Sequence, residues 1–115
     1  MSRILCEFRF PTGEVKYGVW CDTADLLVTR RTFASKEDAE QFRQRVGMWR
    51  GAPPNEEPPP VGSLGEQEVT LYVDYGGGVE FSTRVSQETG WVSGPLSRIA
   101  ALHEIHDSEW AGFGP

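Results

Sequence analysis

Hydrophobic and polar positions alternate with period two over residues 4–10. Ile4, Cys6, Phe8 and Phe10 share one face, and Leu5, Glu7 and Arg9 share the other. Residues 15–21 alternate as well, with Val15, Tyr17, Val19 and Cys21 set against Lys16, Gly18 and Trp20. Between them, Pro11-Thr12-Gly13-Glu14 has the composition of a turn. This pattern predicts a β-hairpin. Pairing Phe10 with Val15 sets Phe8 opposite Tyr17, Cys6 opposite Val19 and Ile4 opposite Cys21, so all eight side chains fall on one face. In that register Cys6 and Cys21 are diagonal neighbours on the core side, an awkward geometry for a disulfide.

A second hairpin is predicted over 69–75 and 79–85. Val69, Leu71, Val73 and Tyr75 face Val79, Phe81, Thr83 and Val85 across Gly76-Gly77-Gly78, and the other face carries Thr70, Tyr72, Asp74, Glu80, Ser82 and Arg84. The glycines read as a turn that needs positive φ, not as a phosphate loop, because no helix follows them. Each hairpin is followed by a third strand: Leu26–Phe33 in the first half and a short piece around Trp91-Val92 in the second. Each half then ends in a helix. The first has Ser35 as N-cap, Glu37 and Asp38 in the first turn, Ala39, Phe42 and Val46 at helical spacing, Arg43 and Arg45 near the end, and Gly47 as stop. The second has Ser93 or Gly94 as cap, Pro95 at its first position, and an inner stripe of Leu96, Ile99, Ala100, Leu102 or His103, and His106.

The expected organisation is one α+β domain over 1–115, with a first βββα half (1–46), a linker loop (47–65) and a second ββ(β)α half (66–115). The first strands of the halves correspond at an offset of 65 and the second strands at 64, which suggests an internal ββ(β)α repeat. The linker holds five of the eight prolines and favours extended conformations; a plain spacer is the preferred reading, and a docking motif the lesser one. The fold expected is a mostly antiparallel sheet of four to six strands with two helices on one face. Its core should hold Ile4, Phe8, Tyr17, Val19, Phe42, Leu71, Val73, Phe81, Ile99 and Leu102.

Charge changes the picture more than composition does. Residues 1–50 carry nine basic and seven acidic side chains, and residues 51–115 carry two basic and ten acidic ones. A negative second half disfavours direct nucleic-acid binding and anionic membranes, and a basic protein is its natural complement. No secretion signal or membrane span is evident, so the expected location is cytoplasmic, with Cys6 and Cys21 reduced.

Catalytic motifs are weak. His103 and His106 with Asp107 or Glu109 offer a metal-ligand set, but the spacing is not His-Glu-x-x-His, and a structural or capping role is favoured. Cys21 with a histidine lacks the marks of an activated nucleophile. Asp74 opposite Glu80 is a carboxylate pair on which nothing else converges. Trp20 and Leu5 beside Arg9 and Lys16 suit a protein interface, unless the linker or the tail covers them.

The leading expectation is a non-enzymatic acidic inhibitor that needs no cofactor and occludes a basic, nucleic-acid-binding surface. Immunity proteins and phage anti-defence proteins such as anti-CRISPRs act in this way, and the analogy is one of size and charge. Its partner-binding residues would be Trp20, Tyr72, Asp74, Glu80, Trp91, Glu104, Asp107 and Glu109. The alternative is a small-ligand or nucleotide sensor or sponge that uses Arg30, Arg31 and Arg84 to hold an anionic group. A third reading is a metal-dependent hydrolase built on the cluster from His103 to Glu109. Open sheet edges could also pair between protomers into a homodimer.

Overall fold

The computed structural model describes residues 3–46, 59–61 and 65–103. It is an α+β fold with the element order β1 (Arg3–Arg9), β2 (Val15–Cys21), β3 (Leu26–Phe33), α1 (Lys36–Val46), β4 (Glu66–Val73) and β5 (Val79–Ser86). Residues 98–103 form a further helical segment. The strands make one antiparallel sheet in the order β3-β2-β1-β4-β5.

The sheet curls. Trp20 on β2 and Phe81 on β5 have ring centroids 6.1 Å apart, yet β1 and β4 lie between those strands. In a flat sheet they would stand about 14 Å apart, at about 4.8 Å per strand. The segment after β5 holds the two edges together. Val85 bridges Val92 and Arg31 bridges Trp91. The Val92 N–H donates to the Arg30 carbonyl, the Ser86 N–H to that of Trp91, and the Leu27 N–H to that of Leu96. Close packing allows little variation here: a Cβ on Gly94 would meet the Arg84 nitrogen at 2.4 Å. The curl is sharpened on β3, where the register with β2 shifts between Tyr17 and Val19. There Thr29 takes φ of 62°, which a β-branched residue rarely adopts.

Two cores result. The inner one gathers Cys6, Phe8, Phe10, Trp20, Leu27, Val69, Leu71, Val73, Val79, Val85 and Val92 within the curl. The outer one gathers Val19, Cys21, Val28 and Val46, with Leu5 and Phe42 packed on them. It exists because α1 lies on the outer face against β1, β2 and β3. The Ser35 hydroxyl caps α1 by accepting the Asp38 N–H at 3.2 Å.

Several expectations are corrected. In β1–β2 the pairs are Phe8 with Lys16, Cys6 with Gly18 and Ile4 with Trp20, one residue away from the register that aligned all eight apolar positions. Trp20 and Gly18 therefore face the inner core, and Val19 and Cys21 face α1. The reason is that both faces of this hairpin are covered, so apolar alternation on β2 does not mark the inside. Cys6 and Cys21 are free thiols in different cores, not neighbours. Ile99 and Leu102, expected in the core, are 61% and 64% exposed.

The second hairpin keeps the expected inner face for Val69, Leu71 and Val73, with Leu71 opposite Phe81 and Val73 opposite Val79, but Tyr75, expected with them, lies beyond β4 and is 45% exposed. Gly76, Gly77 and Gly78 all take positive φ. However, β4 ends at Val73, so Glu80 pairs with Tyr72 and not with Asp74. An offset of 64 would equate inward Val79 with Val15, whose face is the outer one. Most of the linker, 47–58 and 62–64, lies outside the described residues, as does Gly47, the expected helix stop. Among the described residues no helix is long and apolar enough to cross a membrane.

Candidate protein-binding face

The outer face of the sheet has two parts. Over β1–β3 it is covered by α1. Over β1–β4–β5 it presents polar side chains in rows set by the register. Glu7, Tyr72 and Glu80 form one row, and Arg9, Thr70 and Ser82 the next. Glu68 and Arg84 follow.

Arg9 organises the middle. Its guanidinium lies 4.1 Å from the Tyr72 ring centroid. Its Nε and Nη2 donate to Glu7 Oε2 at 3.1 and 2.9 Å. Arg9 thus covers the ring as a cation, and Glu80 is the cross-strand neighbour of Tyr72 on β5. Arg84 stands 4.0 Å from Glu66. Both cations of the face are therefore matched by glutamates, whereas Glu68, Glu80 and Asp74 are exposed and make no ion pair among the described residues. A groove of about 580 Å³ runs over the Arg9 row, lined in part by Pro11, Glu68, Thr70, Glu80 and Ser82.

Of the partner-binding residues expected from sequence, Tyr72 and Glu80 lie opposite each other on this face, and Asp74 is exposed just past the end of β4. Trp20 does not: it is fully enclosed, with its indole N–H unpartnered in the inner core. Trp91 is only 8% exposed and serves in the closing bridge to β3. Both tryptophans are thus corrected to structural roles, because closure of the sheet buries the faces they occupy. Glu104, Asp107, Glu109 and His106 lie outside the described residues. His103 is exposed at the end of the helical segment, and no group of three metal-ligating side chains occurs among the described residues.

The three arginines of the small-ligand reading have different surroundings. Arg30 donates to the carbonyls of Val92 at 3.0 Å and Gly94 at 3.5 Å, which ties β3 to the closing segment. Arg31 contributes its backbone to the Trp91 bridge, and Arg84 is beside Glu66. Sequence reasoning set Arg9 at an interface of the first hairpin and Glu7 on the same outward face, but tied neither to Tyr72. The cross-strand spacing of Glu7 and Tyr72 becomes visible only once β1 is known to pair with β4.

The chain matches no protein-family model, no curated protein and no solved structure.

Proposed function

We propose that this is a non-enzymatic protein-binding domain that occludes a basic surface of its partner with the outer face of β1–β4–β5. The observation that carries the reading is the pattern of charge on that face. Its two arginines are matched by Glu7 and Glu66, which leaves Glu68 and Glu80 without an ion pair on the face that carries Tyr72, with Asp74 exposed just past the end of β4. Unmatched carboxylates on a rigid sheet attract a basic patch at long range and lose little entropy on docking. Tyr72, braced beneath Arg9, is the aromatic anchor. A partner that uses the same basic patch for nucleic acid would be blocked stoichiometrically.

The test is affinity capture from a host lysate, followed by native mass spectrometry. Three baits are used: the native chain, Glu68→Gln/Glu80→Gln, and a control with Glu37→Gln/Asp38→Asn on α1. The expected result is a 1:1 complex with a basic protein, lost with the first variant and kept with the control. Equal capture by both variants, or no stoichiometric partner, overturns the proposal.

A further inference from the structure

Arg3 is an unusual residue for its position. It is only 6% exposed, at the start of β1, and its Nε is buried without a hydrogen-bond partner. Among the described residues it makes no ion pair. Its Nη1 donates instead to Cys21 Sγ at 3.0 Å. A second donor, the Ala24 N–H, reaches the same sulfur at 3.4 Å. Isolated buried charge is costly and normally finds an opposite charge. Here the group facing the guanidinium is a thiol, which becomes a full acceptor only as an anion. Arg43 adds a second guanidinium nearby by donating to the Arg3 carbonyl at 3.5 Å, though Glu40 pairs with it. Around the thiol, Asp22 accepts from the Thr23 hydroxyl and Asp25 stands 3.8 Å from Arg98.

The geometry points to Cys21 as a redox-modifiable thiol whose oxidised, anionic form is held by Arg3. The oxidant is a hydroperoxide. The Cys21 thiolate attacks one peroxide oxygen, so an S–O bond forms as the O–O bond breaks. Sulfur is oxidised by two electrons and the peroxide is reduced. The thiol proton leaves with the departing oxygen as water or an alcohol, and Cys21 becomes a sulfenic acid. The sulfenic acid gives its proton to solvent, and Arg3 Nη1 and the Ala24 N–H then face the resulting sulfenate. Cys21 is itself only 3% exposed, but it ends β2 beside the turn at 22–25, whose Thr23 and Ala24 are exposed, so a small oxidant reaches it by opening that turn and not the inner core. Cys6 is the internal control. It is enclosed in the inner core, where desolvation pushes its thiol far above the ordinary range, against a smaller downward pull from a backbone hydrogen bond with Gly18.

The test treats the full chain with hydrogen peroxide in the presence of dimedone, with peptide mapping by mass spectrometry. We expect one adduct, on Cys21, formed about tenfold or more faster than on Cys6. It should persist in Cys6→Ser, vanish in Cys21→Ser, and slow about tenfold in Arg3→Met. Modification of Cys21 no faster than Cys6, or at an unchanged rate in folded Arg3→Met, overturns the inference. Should Arg3→Met not fold, Cys21→Asp decides. Its carboxylate stands in for the sulfenate, so it should melt above Cys21→Ala, and melting below it refutes an anion-seeking Arg3.

Discussion

Gly18→Ala tests the register on which the whole architecture depends. In the observed pairing Gly18 faces the inner core opposite Cys6. A Cβ there would stand 2.7 Å from Phe8 Cε2, 3.1 Å from Cys6 Sγ and 3.2 Å from Leu27 Cδ1. Carbon contacts are optimal at about 3.5–4.0 Å, so the Phe8 ring must retreat by close to an ångström. Phe8 is wholly buried among Trp20, Leu71 and their neighbours and has little room to do so. Overpacking of this kind costs about 1–3 kcal/mol, and a mid-range value lowers Tm by about 5–10 °C in a domain of this size. Urea and thermal melts followed by circular dichroism measure it. Phe8→Leu in the same chain should recover part of the loss, so the double variant is more stable than the two single effects predict. The register read from alternation alone puts Gly18 on the outward face. There alanine would be neutral, or stabilising by about 0.4–1 kcal/mol through the unfolded state. A Gly18→Ala protein as stable as the native one would therefore refute the observed register.

Other perturbations probe the remaining parts. Ser35→Ala removes the cap of α1 and should cost about 1 kcal/mol, read as a lower urea midpoint with unchanged slope. Arg30→Met removes the donors to Val92 and Gly94, and should raise amide exchange of the Val92 N–H, whose acceptor is the Arg30 carbonyl, before that of β1. Glu40 has its pKa lowered, chiefly by its hydrogen bond from Arg43. A depressed folded pKa gives stability that is present above the unfolded glutamate value and lost as pH falls through the folded one. Glu40→Gln should therefore lower stability slightly at neutral pH, match the native chain at acid pH, and so flatten the acid limb between them. An identical acid limb in Glu40→Gln would show that the pair contributes nothing.

The second hairpin was readable because only one of its faces is covered. Val69, Leu71 and Val73 point inward while Thr70 and Tyr72 line a polar face, so period two marks inside and outside without ambiguity. The β3 boundaries and the cap of α1 were equally legible, since both rest on local chemistry. In the first hairpin the apolar set Val15, Tyr17, Val19 and Cys21 lies on the outer side, partly beneath α1, and Trp20 fills the inner core. Alternation could not rank two covered faces. The telling residue was Gly18, a gap in a strand that lets an aromatic ring approach from the partner strand. Curl escaped the sequence altogether, because it follows from the irregularity at Thr29 and from the isolated bridge that joins Arg31 to the distant Trp91. The fate of Trp20 and Trp91 followed from that curl. The outward placing of Tyr72 and Glu80 was legible because their face stays polar in either register.

The same division of covered and uncovered surface bears on recognition. The β1–β4–β5 face is built of Glu7, Glu68, Thr70, Glu80 and Ser82, side chains that remain hydrated alone, with Tyr72 already shielded by Arg9. A face of this composition stays soluble without a partner and has little apolar area to drive slow, obligate association. Its strength lies in steering, so specificity would come from matching the spacing of Glu68, Glu80 and Asp74 to cations on the partner. On the proposed function the encounter rate is the quantity to measure, and ionic strength the variable that exposes it. Screening at about 0.15 M salt acts over about 8 Å, comparable to the separation between rows of the sheet two residues apart. Glu68 and Glu80 lie two such steps apart, about 13 Å along the strands, and so act nearly independently. Neutralising both should accordingly reduce the salt slope of association by about the sum of the two single reductions.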